Sequence, residues 1–532
     1  MDYDVVIIGG GPNGETAAAY LQKAGAKCLI VERRDEMGGG LVTEDVGGFR
    51  FNLHATYMMM SDLMPPVQDL ALHKYGVNFI TPPVQMALFY EPDQALVFYR
   101  DPEKTAAAIR EIAPEDASRF LAIYGDMEEV CLKSLLPATY VAPIGPAEFA
   151  VMLSQSEVGN RVLEWSEMSP LEMLDAYGLE DPRVRAGLLY LGCKWGIEPD
   201  LIGIGYMFAI YVYRMLNAAL VGGGSHRLNS GIVRSAYESG LDVLENTEVT
   251  QILVEDGVAR GVVTDGGEEI TARAVVSTLT APMTFFDLVG EELIDPDMAA
   301  SLRMWQWDEW SLFCVHLGSS TLPRYKAEAN APHAGEALSQ VVGYASDEEV
   351  IRHWDECMKG RLPGTEATIT PTSLFDPVQA PAGFHTLRVE TEAPYEVAGR
   401  DWEDIKDDYA ERIVADWREY LANAADVKLV KSFVYPPTYI EQKLPNMVRG
   451  AIKHGAYLPT QMGYFRPTTD MSNYATPIPG LYLAGASVYP GGMITLGPGY
   501  NAALQIAADL GLDIWWRYPD YIEEAREEGL VP

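Results

Sequence analysis

Apolar runs near the start of the chain predict a strand, a helix and a second strand. Val5 to Ile8 is an unbroken β-branched run, typical of a parallel strand buried on both faces. Glu15 to Ala24 is rich in alanine and predicts a helix, which Gly25 ends. Cys28 to Val31 is a second short apolar run. This order predicts a βαβ unit and therefore an α/β fold with a parallel sheet.

The turn between the first strand and the helix carries a recognisable motif. Gly9, Gly11 and Gly14 fill the three glycine positions of G-x-G-x-x-G, with Pro12 and Asn13 between the last two. The first glycine allows a tight turn, the second lets a pyrophosphate approach the backbone, and the third lets the helix pack close to the sheet. The N–H groups at the start of the helix would then face the phosphate. The turn therefore predicts a dinucleotide-binding site.

Two features after the second strand extend this predicted site. Glu32 ends the strand, where an acidic side chain accepts hydrogen bonds from an adenosine ribose and disfavours a 2′-phosphate. The glycine cluster from Gly38 to Gly40 follows, and it predicts that the backbone again passes close to the dinucleotide.

A later glycine turn, Gly222 to Gly224, lacks a preceding short strand and the third glycine spacing, so we reject NAD(P) binding there.

The long apolar stretch from Leu201 to Val221 raises the question of a membrane. Arg214 and Asn217 interrupt it, which disfavours a transmembrane span. We interpret it as a buried helix that lines an apolar cavity. Peripheral contact with a bilayer is the alternative.

The rest of the chain alternates between predicted strands and helices. Hairpin turns are expected where Asp-Gly pairs separate apolar runs. The predicted elements are a helix over 228–240, hairpins at 256–257 and 265–266, strands over 274–277, 311–316 and 384–391, and helices over 347–357 and 402–421.

Two histidine–cysteine pairs have a spacing that could suit a metal ion. His353 and Cys357 lie four residues apart on a predicted helix, and Cys314 and His316 share one face of a predicted strand. Neither pair has further ligands nearby in the sequence, so structural roles are favoured and no metal site is predicted.

Composition narrows the classes of function. A chain of 532 residues is expected to form at least two domains, and its 48% hydrophobic residues can fill a large core. The formal charge of −37 argues against nucleic acid and against electrostatic docking on anionic lipid. Five scattered cysteines without C-x-x-C fit a reduced compartment, and the first strand begins almost at Met1 without a signal peptide before it. A cytoplasmic protein is therefore expected, with membrane association as the alternative.

A second signature lies near the other end of the chain. The strand-like run from Leu481 to Leu483 reaches Gly485, a glycine-rich loop follows, and a helix is predicted to begin near Tyr500 or Asn501. The N–H groups of such a helix would stabilise negative charge on a carbonyl or phosphate of a bound ligand.

Both signatures resemble those of a known family. The segment after the second strand, E-R-R-D-E-M-G-G-G with G-F-R-F shortly after, resembles the N-terminal signature of the phytoene desaturase-like flavoproteins. L-Y-L-A-G-A, Y-P-G-G and P-G-Y-N-A-A resemble the segments that close the FAD site in that family, with Tyr489 at the place of the usual histidine. The resemblance covers both ends of the chain strongly and the middle weakly.

The resemblance implies a fold, a cofactor and site residues. The fold would be α/β: a Rossmann-like FAD-binding domain, discontinuous over residues 1–75, 215–290 and 456–515, with an inserted substrate domain of antiparallel sheet and helices over 76–214 and 291–455, and a tail over 516–532. Besides the residues of the first motif and Glu32, those expected to contact FAD are Arg33, Gly39, Gly40, Val249, Gly485, Ala486, Gly492 and Met493.

The implied activity is that of an FAD-dependent oxidoreductase acting on an apolar isoprenoid-, polyene- or cyclic-type substrate. C=C desaturation by hydride transfer to flavin N5 is favoured. A saturase, isomerase or ketolase, a flavin amine oxidase, and a non-enzymatic lipid-binding relative are the alternatives. Oxygen or a quinone would accept the electrons, since no second dinucleotide motif is found. His54 and Tyr489 are the candidate proton-handling residues.

Overall fold

The computed structural model describes residues 1–59 and 61–532. Two large sheets organise it, one of them mainly parallel and the other mainly antiparallel. The strands are β1 (Tyr3–Ile8), β2 (Cys28–Val31), β3 (Thr43–Val46), β4 (Phe49–Asn52), β5 (Met58–Met59), β6 (Phe79–Ile80), β7 (Val84–Glu91), β8 (Gln94–Tyr99), β9 (Ala218–Val221), β10 (Asp242–Leu244), β11 (Val249–Glu255), β12 (Val258–Thr264), β13 (Glu269–Ser277), β14 (Trp310–Ser319), β15 (Ser339–Val342), β16 (Ala367–Thr370), β17 (His385–Pro394), β18 (Leu429–Tyr435) and β19 (Leu481–Leu483).

Helices cover both sheets and form a separate layer in the middle of the chain. They are α1 (Pro12–Lys23), α2 (Pro65–Asp69), α3 (Pro102–Ile112), α4 (Pro114–Val130), α5 (Leu136–Ala138), α6 (Pro146–Leu153), α7 (Glu157–Trp165), α8 (Pro170–Ala176), α9 (Pro182–Cys193), α10 (Gly205–Met215), α11 (His226–Glu238), α12 (Pro296–Arg303), α13 (Asp347–Met358), α14 (Thr372–Phe375), α15 (Trp402–Arg418), α16 (Pro437–Lys443), α17 (Gly497–Leu510) and α18 (Asp520–Glu527).

The first sheet has the parallel order β10-β2-β1-β13-β19, extended beyond β13 by the antiparallel hairpins β12 and β11. Val6 lies between Leu29 of β2 and Val275 of β13, and all three are buried because helices cover both faces. The strands come from three separate parts of the chain, so the sheet is discontinuous in sequence. The domain boundaries given above stay a prediction.

The second sheet has the order β18-β14-β17-β16-β15-β7-β8. Its pairs are antiparallel except β15 with β7, which is parallel. One face packs on α15 through a cluster that includes Phe313, Trp402 and Tyr409. The other face turns towards the first sheet and carries buried charged residues.

Several sequence expectations differ from the structure in their details. Helix α1 begins at Pro12 instead of Glu15, since proline suits the first helical position. Helix α17 begins at Gly497, earlier than Tyr500. The stretch predicted as one helix over 201–221 forms α10 and then β9, which pairs with the short strands β5 and β6.

The expectation that no short strand precedes the glycine turn from Gly222 to Gly224 was also wrong. Strand β9 ends at Val221, directly before Gly222, so a short strand does precede this glycine turn. The turn is filled from within the protein: a Cβ on Gly222 would lie 2.5 Å from the Asn78 side chain, and one on Gly224 would lie 2.7 Å from Thr43.

No helix in the described part of the chain is long and apolar enough to cross a membrane. All five cysteines are buried and free of disulfides. The two histidine–cysteine pairs have other partners: His353 contacts the Tyr344 hydroxyl at 3.0 Å, and Cys357 donates to the Glu392 carbonyl. The Arg388 guanidinium donates to Cys314.

Candidate active site

A cleft opens at the carboxyl ends of the parallel strands, where ligands bind in doubly wound sheets. It encloses about 1410 Å³ of space, part of it open to solvent. With the exception of Gly14, every residue expected to contact the cofactor lines it: Gly9, Gly11, Pro12, Asn13, Glu32, Arg33, Gly39, Gly40, Val249, Gly485, Ala486, Gly492 and Met493. The structure therefore brings the residues of both sequence signatures to one place.

The two glycine clusters meet at the bottom of this cleft. A Cβ on Gly39 would lie 3.0 Å from the Gly11 Cα, so the two loops touch through their glycines. A Cβ on Gly11 would meet no atom closer than 3.9 Å, which leaves its backbone open to the cleft. Gly14 has the packing role, since a Cβ there would lie 2.4 Å from the Gly9 carbonyl oxygen. The first loop can therefore be approached closely by a phosphate.

Glu32 is fixed at the end of β2 by two backbone amides. Its Oε2 accepts a hydrogen bond from the Gly10 N–H at 2.7 Å, and its Oε1 accepts one from the Arg34 N–H at 2.8 Å. Each carboxylate oxygen has a second lone pair that a ribose hydroxyl could use. Arg33 is exposed, and its guanidinium lies 3.7 Å from Glu248.

The opposite wall of the cleft is a strained loop between β19 and α17. Met493, Ile494 and Leu496 all have positive φ angles, of 73°, 54° and 60°. Bulky residues rarely adopt this conformation, and such strain tends to occur at functional sites. The Gly492 N–H donates to the Tyr457 hydroxyl at 2.9 Å, which anchors the loop.

The residues present fit a flavin dinucleotide. The open Gly11 backbone at the start of α1 suits a pyrophosphate, and the Glu32 carboxylate suits a ribose. The strained loop from Gly491 to Thr495 leads into α17, where helix N–H groups favour negative charge.

A second cavity of about 670 Å³ adjoins the cleft. Gly40, Met447, Ile452, Met493 and Ile494 line both spaces, so the two are neighbours across these residues. The remaining lining is mostly apolar or aromatic, and includes Leu53, Tyr57, Met59, Trp195, Leu312, Tyr435 and Ile440. The lining therefore suits an apolar molecule.

His54 lines the second cavity and contacts Tyr435. Its Nδ1 lies 2.5 Å from the Tyr435 hydroxyl. Burial lowers the pKa of His54 to about 3, helped by the positive charges of Arg388, Arg34 and Lys443. The imidazole is therefore neutral near pH 7, and its low pKa makes it a weak proton acceptor.

Two buried ionic side chains, Arg388 and Glu390, line this cavity, and Lys194 pairs with Glu390 without lining it. The Arg388 guanidinium lies 2.5 Å from Glu390 Oε2, and Lys194 Nζ lies 2.8 Å from Glu390 Oε1. Arg388 also donates to the carbonyls of Asn52 and His54, at 3.0 and 2.6 Å. It thereby holds the segment that carries His54.

The charge state of Glu390 follows from this pairing. Burial by itself would raise the pKa of the Glu390 carboxyl, but Arg388 and Lys194 outweigh burial and lower the pKa to about 2. An ionised carboxylate is therefore held at the wall of an otherwise apolar cavity.

Tyr489, the other candidate for proton handling, points elsewhere. Its hydroxyl donates to the Ala138 carbonyl at 2.8 Å, and it is not among the residues that line the cleft or the second cavity. Burial raises the pKa of this phenol. Of the two predicted residues, the structure brings only His54 to the cavity.

Sequence reasoning missed Lys194, Arg388, Glu390 and Tyr435. A signal for two of them was present in β17, where Arg388, Glu390 and Glu392 alternate with apolar or small residues. Period-two alternation of charge is usual for a strand with one face in water. Here both faces are buried, and that depends on the long-range packing of β17 against elements such as β4, α13 and α14.

Comparisons with known proteins agree with this geometry. Residues 7–74 match the family model described as an NAD(P)-binding Rossmann-like domain. A limonene dehydrogenase subunit from Castellaniella defragrans is 44% identical over 541 residues, covering 99% of this chain and 98% of that protein. Phytoene desaturase (lycopene-forming) of Paracoccus sp. is 24% identical over 524 residues, covering 95% of this chain and 97% of that protein.

Solved structures share the fold at lower identity. Putrescine oxidase bound to putrescine superposes with a TM-score of 0.58 at 14% identity, over 96% of this chain and 99% of that one. An oxidoreductase from Methanosarcina mazei gives a TM-score of 0.62 at 16% identity, over 95% of this chain and 100% of that one.

Proposed function

This chain belongs, with the limonene dehydrogenase subunit, to the phytoene desaturase-like family of FAD-dependent oxidoreductases, and we propose that it dehydrogenates a compact apolar hydrocarbon. The proposed product carries a new C=C bond. The observation that carries the proposal is the apolar cavity beside the cofactor cleft. A substrate there would lie against the same loop residues, Met493 and Ile494, that line the cleft.

The size and lining of the cavity favour one compact molecule. Its space is about 670 Å³, less than half of the 1410 Å³ of the cofactor cleft in the same measure. Arg388 and Glu390, which form an ion cluster with Lys194, are part of its wall. Because the name limonene dehydrogenase denotes a small cyclic terpene as substrate for that relative, we propose the same class here.

We assign the cofactor-holding role to the residues that line the cleft. Gly9, Gly11 and the start of α1 would hold the pyrophosphate, and Glu32 would hold the adenosine ribose. Val249 would border the adenine. Gly485, Ala486, Gly492 and Met493 would border the flavin ring.

When bound, FAD supplies a ring nitrogen, N5, that can accept a hydride. The chain supplies a dry cavity, which orients the hydrocarbon and excludes water, and a proton acceptor. The candidate proton acceptors at the cavity wall are the imidazole of His54 and the carboxylate of Glu390, and their low pKa values make both weak bases in the resting protein. Arg388 contacts both segments and holds them in register.

The first experiment tests the substrate class. Purified yellow protein is mixed without oxygen with limonene, with a linear C40 polyene precursor, or with putrescine, and the flavin absorbance is followed. We expect limonene to bleach the flavin absorbance, and we expect the C40 polyene precursor and putrescine to leave it unchanged. Putrescine is expected to fail, because the mostly apolar lining offers its ammonium groups only the Glu390 carboxylate, which Arg388 and Lys194 already pair with. Bleaching by putrescine and not by limonene would refute the proposal.

The second experiment tests the assignment of Glu32. Glu32→Ala removes the group proposed to bind the ribose, where each charge-assisted hydrogen bond contributes ~1.5–3 kcal/mol. We expect the variant to lose most of its flavin on gel filtration. Asp35→Ala, an exposed acid three residues on, is the matched control and should stay yellow.

A further inference from the structure

Among the described residues, the buried lysine and arginine side chains are Lys194, Arg214, Arg388, Lys453 and Arg466. Lys194 and Arg388 pair with Glu390, and Lys453 pairs with Asp308. Arg214 and Arg466 have no acidic partner within ion-pairing distance in this part of the chain, although the sequence carries 76 acidic residues. Because arginine keeps its proton in proteins, two positive charges are buried without a counter-charge, which is normally costly.

Arg466 is fully buried behind the start of the strained loop between β19 and α17. Its Nε and Nη2 donate to the Ala486 carbonyl at 3.2 and 2.9 Å, and its Nη2 also donates to the Lys453 carbonyl at 2.8 Å. Ala486 lines the cofactor cleft, and so does His454, the residue after Lys453. These acceptors are neutral carbonyls, so they satisfy hydrogen bonds of the guanidinium without cancelling its charge.

Arg214 approaches the other end of the same loop from α10. Its Nη2 donates to the Thr139 hydroxyl at 3.2 Å, and its Nε has no hydrogen-bond partner among the described residues. The next residue, Tyr140, donates through its hydroxyl to the carbonyl of Thr495, which lines the cofactor cleft. Arg214 is also the charge that interrupts the apolar stretch over 201–221. Both unpaired arginines therefore flank the loop that we place beside the flavin ring.

A positive charge at this loop favours whichever state of the cofactor is the more negative. The reduced flavin ring carries negative charge on its N1 side, whereas the oxidised ring is neutral. At an effective dielectric constant of ~20, a unit charge ~12 Å away changes such an equilibrium by about tenfold. Neither arginine lines the cleft, and an effect of this range needs no direct contact.

We propose that Arg466 and Arg214 are positioning residues that raise the reduction potential of the flavin, because their unpaired charges are balanced when the ring becomes anionic. The chain would thereby favour removal of a hydride from an unactivated hydrocarbon. The proposal rests on the proposed placement of the flavin ring beside Gly485 and Met493.

The test uses the yellow holoenzyme and needs no substrate. The midpoint potential is measured by anaerobic titration against a redox dye. Sulfite is the second probe: its sulfur lone pair forms an S–N bond with N5 of the oxidised ring, no group leaves, and the negative charge passes to the N1 side. Retention of oxidised FAD on gel filtration is the third measurement.

We expect Arg466→Met to raise the dissociation constant of sulfite by about tenfold and to lower the midpoint potential by about 30 mV, the equivalent shift for a two-electron couple. Arg214→Met should act in the same direction. Arg466→Lys keeps the charge and should stay near the unaltered protein in both measurements. Arg185→Met is the control, because Arg185 pairs with Asp175 and Asp347 and lines neither cavity of the site.

A second pair of variants changes the charge while Arg466 stays in place. The buried Met462 has its sulfur 3.7 Å from Arg466 Nη1. Met462→Glu would give the guanidinium a carboxylate partner, and Met462→Gln has the same shape without the charge. We expect the potential to fall in Met462→Glu relative to Met462→Gln, so this pair decides the matter if Arg466→Met does not fold.

Three results would overturn the proposal. The first is an unchanged potential and sulfite affinity in Arg466→Met. The second is loss of oxidised FAD without a change in potential, which would assign the charges to the pyrophosphate. The third is an equal potential in Met462→Glu and Met462→Gln. Failure of limonene to reduce the enzyme would refute the proposed function and leave these measurements intact.

Discussion

At the scale of single residues, His54 and Tyr489 were both predicted from the sequence as proton-handling candidates, but only His54 lines the cavity. Both follow family-like motifs, so both were reasonable candidates. Only the fold determines the direction of each side chain. His54 points into the cavity beside Tyr435, whereas Tyr489 bonds the Ala138 carbonyl.

We expect His54→Ala to slow anaerobic flavin reduction by ~10²-fold or more if the imidazole takes the substrate proton. Tyr489→Phe should leave that rate unchanged, because its hydroxyl lies outside the cavity. Single-turnover absorbance measurements check both variants. Equal rates in His54→Ala and the unaltered protein would leave Glu390 as the acceptor.

Glu15 was not among the site residues predicted from the sequence. It sits in the first turn of α1, fully buried, and neither carboxyl oxygen has a hydrogen-bond partner in the described part of the chain. Burial, and next the charge of Glu32, raise its pKa well above 4.5. A neutral carboxyl there avoids repelling a dinucleotide phosphate at the start of the helix.

The raised pKa of Glu15 predicts a dependence of stability on pH. Above the unfolded pKa, the unfolded chain has released this proton while the folded chain keeps it, so stability falls as pH rises. Glu15→Gln removes this loss. We expect its melting temperature to exceed that of the unaltered protein at about pH 8 and to approach it near pH 5. Glu148→Gln, at an exposed position, should show no such trend.

At the scale of elements, the sequence predicted most of the FAD-type fold. Strands β1 and β2, helix α1 and the two hairpins follow from apolar runs and glycine turns, because those signals are local. The split of residues 201–221 into α10 and β9 was not predicted, since β9 depends on pairing with β5 and β6. The charged face of β17 was also missed, because burial of both faces is a tertiary property.

Strand β17 offers a matched pair of variants on one face. Glu390 and Glu392 are almost equally buried, at 3% and 4% exposure. Glu390 is paired with two cations, while Glu392 has no ion-pair partner in the described part of the chain, and burial raises its pKa.

Glu390→Gln leaves Lys194 and Arg388 without their counter-charge, so we expect a loss of ~3–5 kcal/mol in the free energy of unfolding. Glu392→Gln should change it by less than ~1 kcal/mol, because this change leaves no ion-paired cation without its counter-charge. Urea denaturation of both variants measures the difference. Equal losses would mean that the ion cluster does not set the stability of this strand.

For the whole molecule, the question is how electrons enter and leave one cofactor cleft. The two glycine-rich turns differ in the space around their backbones. This difference bears on whether a nicotinamide cofactor could bind at a site separate from that of FAD. The Gly11 backbone faces open space, and the first cluster shapes the cofactor cleft. The turn from Gly222 to Gly224 is filled by Asn78 and Thr43, and the Gly223 N–H already bonds Asp376 at 2.6 Å.

Because that second turn is filled by Asn78 and Thr43, we expect NAD(P)H to compete with FAD for the cofactor cleft, which residues 7–74 help to form. We therefore expect NADH and NADPH to leave the flavin of the yellow protein oxidised over minutes without oxygen. A compact hydrocarbon should bleach it in the same cuvette. Stopped-flow absorbance at the flavin band makes the comparison. Rapid bleaching by NADPH would place a nicotinamide site beside the flavin ring and refute this expectation.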